Sequence, residues 1–116
     1  MIRKLYYLIG CALLITASAY GASKEVEIPR TSYKNLYKFY VVAESKQNTN
    51  FLLTYKRLGY DTILYGIVEA NCPSRVIRSL GTSVDSVRTI NTSNPTQWIK
   101  PTFGTIELDM MTYFCR

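Results

Sequence analysis

The sequence contains no histidine. That absence removes histidine acid–base catalysis, histidine-activated nucleophiles and histidine metal ligands together. Carboxylates are also scarce, with eight Asp and Glu against fourteen Lys and Arg. Glu44, Asp61, Glu69, Asp85, Glu107 and Asp109 stand singly, and their spacing gives no pair for glycoside hydrolysis. The residues therefore point to a non-enzymatic protein, with no cofactor and no metal; a hydrolase ranks last. Long apolar runs are lacking too. The uncharged stretch from Leu5 to Ala19 is about fifteen residues, short of the roughly twenty that a membrane-spanning helix needs.

That stretch follows Arg3-Lys4 and leads to small residues at Ala17, Ser18, Ala19 and Ala22, the layout of a cleavable secretory signal of the bacterial type. Polar character begins at Ser23, which places cleavage after Ala22. Residues 1–22 are thus expected to be a signal peptide, 23–32 a polar leader, and 33–116 a single β-rich domain exported to the periplasm or cell surface. Leu8-Ile9-Gly10-Cys11 also matches a lipobox, but apolar Ala12 to Ile15 would then open the mature chain. Cys11 is read as an ordinary signal residue, and membrane association would require its lipidation.

Losing Arg3 and Lys4 leaves twelve basic residues against eight acidic ones, a net of +4. Such a balance favours acidic partners, an extracellular or envelope protein or an anionic glycan, and export argues against nucleic acid. Two of the three cysteines remain after cleavage. In a short exported domain they are expected to pair as Cys72–Cys115, closing a loop whose constraint contributes about 4 kcal/mol.

Within the domain, Leu36 to Ala43 is aromatic and β-branched, and Phe51 to Leu58 is a second strand. Ser45 to Asn50 separates them as a turn. From Tyr60 to Ala70, Ile63, Tyr65 and Ile67 alternate with Leu64, Gly66 and Val68, apolar on both sides, so this strand is expected at the centre of the sheet, covered on one side by a helix and partly on the other. A run begins at Arg75 to Leu80, Gly81-Thr82-Ser83 reads as a turn, and Val84 to Ile90 alternates again. Asn91 to Pro101 is turn-rich. From Thr102 or Thr105, either able to cap, a helix is expected with Phe103, Ile106, Met110, Met111, Phe114 and Cys115 on one face. Glu107 falls on that face and is read either as the partner of Arg75 or Arg78 or as a residue exposed at the core edge.

The segment from Tyr60 to Arg116 resembles the surface-adhesin protein E family of Gram-negative envelope proteins. The likeness rests on Asn71-Cys72-Pro73-Ser74-Arg75 after an apolar strand, Arg78, the loop Pro95 to Pro101 around Trp98, and the ending Tyr113-Phe114-Cys115-Arg116. It implies an α+β fold, a small antiparallel sheet packed by one C-terminal helix, with the two matching cysteines joining helix to sheet. It also implies adhesin-like binding of extracellular macromolecules. A periplasmic accessory subunit of a secretion or pilus complex is the alternative, since edge strands pair readily with partner chains. A lysozyme inhibitor is disfavoured because both proteins would be basic.

The sharpest binding candidate is Tyr33, Lys34, Tyr37 and Lys38, where aromatic faces adjoin ammonium groups. Its bland alternative is a first strand whose alternate aromatics are core. Lys56, Arg57, Arg75, Arg78 and Arg88 are a candidate basic stripe on the open sheet face. Trp98 is expected to be a structural anchor over the disulfide. Asn91-Thr92-Ser93 matches a glycosylation pattern that a bacterial chain rarely uses.

Overall fold

The computed structural model describes residues 25–32 and 36–115. Its fold is α+β. Five antiparallel strands lie in chain order: β1 (Val26–Glu27), β2 (Lys38–Gln47), β3 (Asn50–Leu58), β4 (Ile63–Asn71) and β5 (Val76–Ser83). One helix, α1 (Ile106–Phe114), packs on one face of this sheet. The expected signal peptide lies outside the described residues.

Strand periodicity makes the core. On β3 Leu53 and Tyr55 are buried, and their cross-strand partners on β4 are Val68 and Gly66. Phe39 and Val41 of β2 and Ile77 of β5 extend this face, and Met110, Met111 and Phe114 of α1 cover it. The opposite face carries Tyr40, Leu52, Lys56, Tyr65 and Ile67, all half-buried. Two bulges interrupt the ladders, one between Val41 and Ala43 and one where β4 passes from Ile67 to Val68 against β5. The β2–β3 hairpin turns at Asn48-Thr49, where Asn48 has φ of 58°, a conformation asparagine tolerates better than most residues.

The disulfide joins Cys72, in the turn after β4, to Cys115, the C-cap of α1, with the two Cα atoms 5.7 Å apart. At the other end Thr105 is the N-cap, its Oγ1 accepting from the Leu108 amide at 3.3 Å. The helix therefore starts later than Thr102, and Phe103 stands 82% exposed instead of joining the buried face.

Three further expectations are corrected. The segment read as a polar leader is part of the fold: Val26 and Glu27 pair with Val41 and Tyr40, and Ile28 is fully buried. Arg30 Nε donates to Asp109 Oδ2 at 2.8 Å, and Asp109 also accepts from the Thr31 amide and hydroxyl. Gly81-Thr82-Ser83 is strand, not turn. A Cβ at Gly81 would lie 2.2 Å from the Asn91 carbonyl oxygen, so this glycine serves a close chain crossing. Finally, Val87–Thr89 is a single 3-10 turn, where alternation suggested a strand. The Ser86 amide and Thr89 Oγ1 bond across it, offering this short polar stretch a local alternative to a ladder. Beyond it, Thr96 to Ile99 runs along β5, with Ile77 and Ile99 exchanging amide bonds at 2.9 Å.

Candidate functional site

Among the expected contact residues, Tyr33 and Lys34 lie outside the described residues. Tyr37 and Lys38 are exposed at the entry to β2, whereas Phe39 beside them is core. The five residues of the expected basic stripe are not brought together. Successive strand side chains point to opposite faces, so Lys56 lies on the open face and Arg57 on the helix face. Arg75 sits in the turn between β4 and β5 with φ of 58°, and Arg88 is exposed on the 3-10 turn. Lys56 instead forms an ion pair with Glu25 beside the Tyr40 ring.

Arg78 corrects the expected Glu107 pairing. Its Nε and Nη2 reach Glu69 Oε1 at 2.9 and 2.8 Å, because Glu69 is its cross-strand partner. The same guanidinium lies 4.5 Å from the centre of the Trp98 ring. Trp98 thus stacks on a paired arginine and stays 38% exposed. Asn50 Nδ2 completes the cluster by donating to Glu69 Oε2 at 2.8 Å.

Arg57 is placed differently. Its guanidinium stacks 4.4 Å from the Tyr37 ring centre, and its Nε is buried with no hydrogen-bond acceptor among the described residues. It lines a groove of about 490 Å³ together with Leu36, Tyr37 and Arg30 on one side and Gly104, Thr105 and Ile106 on the other. The second wall is the start of α1, where first-turn amides lack helical acceptors and the helix dipole is positive. Arg30 Nε is engaged by Asp109, whereas the Arg57 guanidinium forms no hydrogen bond or ion pair among the described residues. Glu107 also lines the groove, but two guanidiniums and the helix start outweigh its single carboxylate, so the arrangement suits an anionic group.

A second cavity, about 480 Å³, lies beneath α1. Phe39, Tyr55, Val68 and Ile77 form its floor, Ile106 and Met110 its roof, and Thr96, Gln97 and Ile99 one side. Tyr55 lies across Gly66, where a Cβ would come within 2.4 Å of the phenol oxygen. Burial raises the Tyr55 pKa above its ordinary value; the positive charge of Arg57 opposes this, and the negative charge of Glu107 adds to it. Phe39, Ile106 and Glu107 line both cavities. Sequence reasoning singled out Tyr37, Arg57 and Glu107 separately, but not that one end of one helix assembles them. Ile28 and the Arg30–Asp109 pair were not singled out for contact or pairing, because only register and topology connect them to the helix.

Compared with protein families, curated proteins and solved structures, the chain gives no match to a family model, a curated protein or a solved structure.

Proposed function

We propose that the chain is an exported, non-enzymatic envelope or surface protein, adhesin-like and similar to surface-adhesin protein E, that binds an acidic segment of an extracellular macromolecule. The observation that carries this reading is Arg57. The Nε is shielded and without an acceptor among the described residues, which leaves the guanidinium short of partners, and a carboxylate or sulfate arriving in the groove would pair with its terminal nitrogens by a charge-assisted bond. Tyr37 holds the guanidinium plane by stacking, which keeps the donor in place before a partner arrives. The basic balance of the chain draws anionic partners by long-range attraction.

Binding of the mature chain to immobilised heparin and to an acidic matrix protein tests the proposal. Arg57→Gln should weaken binding about tenfold, the size expected for losing one charge-assisted bond, with the melting temperature little changed. Arg57→Lys should recover part of the loss, since it restores charge without the planar fork. Undiminished binding by folded Arg57→Gln would overturn the reading.

The accessory-subunit alternative is favoured by one observation. β1 pairs only with Tyr40 and Val41, and from Ala43 to Gln47 the outer edge of β2 is exposed with no partner strand among the described residues. An open edge accepts an added strand through its backbone. Lys46→Pro, at a position whose amide faces the open edge, should then abolish co-purification with an envelope complex and leave heparin binding intact. If the variant still co-purifies with the complex, this edge is not the contact.

A further inference from the structure

We infer that the cavity beneath α1 is a binding site for a small organic amine carrying a ring-sized apolar body. The space of about 480 Å³ opens past the exposed Thr96, Gln97 and Ile99 and is otherwise walled largely by core side chains, so a small molecule can reach it without unpacking the domain. Its size and lining match sites that enclose small molecules, mostly apolar with a few polar groups at defined places.

The polar groups define the charge of the guest. Glu107 contributes a carboxylate to the wall and forms no ion pair among the described residues. Arg78, the cation at this wall, is already held by Glu69 and stacked on Trp98. An entering anion would meet an unpaired carboxylate, whereas an ammonium group would find its partner there. Phe39 and Tyr55, whose ring centres are 5.8 Å apart, offer aromatic surface to the apolar body. The Tyr55 hydroxyl, with no hydrogen bond to another described residue, is a neutral group able to accept from the same ammonium. This site shares Phe39, Ile106 and Glu107 with the anion groove but lacks Arg30 and Arg57, and its charge preference is opposite for that reason. Glu107 stands on the wall between them.

The test uses the mature, disulfide-bonded chain and three probes of one shape: 2-phenylethylammonium, 2-phenylethanol and 3-phenylpropionate. Titrations followed by amide chemical shifts should place the amine against Tyr55, Ile77, Ile99 and Met110. The amine should bind about tenfold more tightly than the alcohol, and the acid more weakly than either. Glu107→Gln should bring the amine down to the level of the alcohol, and Glu107→Lys should make the acid the preferred probe. Arg57→Gln, which weakens heparin binding in the groove, should leave amine binding in place, so the two sites fail separately. The ranking on the unmodified chain decides the question even where a variant does not fold. Equal binding of amine and alcohol, shifts confined to another region, or no saturable shift from any probe would overturn the inference.

Discussion

The two ends of α1 are built in opposite ways. Around its last turn Met111 is fully buried, Phe114 stacks on Phe51 with ring centres 6.0 Å apart, and Cys115 is bonded to the turn after β4. Around its first turn Ile106 and Glu107 stand half-buried between two cavities. Only one flank of that first half is closed, by Asp109 with Arg30 and Thr31. A helix anchored by packing and a covalent bond at one end can leave the other end loosely covered. Tight packing and open space are thereby separated along the nine residues of the helix.

The harshest way to break this contrast is to remove the anchor. Replacing Cys72 and Cys115 together by alanine should cost about 4 kcal/mol, the entropy of a long closed loop, measured by urea unfolding. Asp109→Ala should cost about 3 kcal/mol, because it strands a buried guanidinium whose side chain is only 7% exposed. Here the measurement sharpens the picture: β1 should detach with the salt bridge, so amide exchange at Ile28 should accelerate more than at Leu53. Met111→Ala and Ile106→Ala compare the two ends directly. The first should cost about 3 kcal/mol and the second about 1 kcal/mol, since Ile106 already borders open space.

The smallest effect is at alkaline pH. Tyr55 has a folded pKa above its ordinary value of about 10, so the folded state holds the phenolic proton more tightly than the unfolded chain. Its contribution is whole below about pH 10 and is lost as pH rises through the folded value. Tyr55→Phe should flatten that alkaline loss in a series of urea unfolding curves, with little change at neutral pH. A wild-type slope that persists in the variant would assign the loss to other groups.

Much of the fold was legible in local pattern. The apolar runs Phe51 to Leu58 and Tyr60 to Ala70 mark two strands, though the first and not the second is central in the sheet, and the cysteine count gives the bridge that is present between Cys72 and Cys115. What escaped local reading depends on distance and register. β1 has two residues, too few for a period, and its neighbour Arg30 finds its partner 79 positions away. Arg78 pairs with Glu69 instead of Glu107 because the β4–β5 ladder sets them opposite one another. Gly81 looks like a turn residue by type, yet its missing Cβ makes room for the backbone at Asn91. For the site, Tyr37 and Arg57 were each visible as binding types. Their stacking, and the helix start that completes the groove, come from the fold.

The most direct test of the account is a residue-by-residue map of where an anionic partner lands. A heparin oligosaccharide titrated into the isotope-labelled, disulfide-bonded chain should shift the Arg57 side-chain Nε–H resonance and the amides of Tyr37, Thr105 and Ile106. The amides around Cys72 and Cys115 should stay still. Shifts concentrated at the disulfide end, with Arg57 Nε–H unmoved at saturation, would contradict the division of roles along α1.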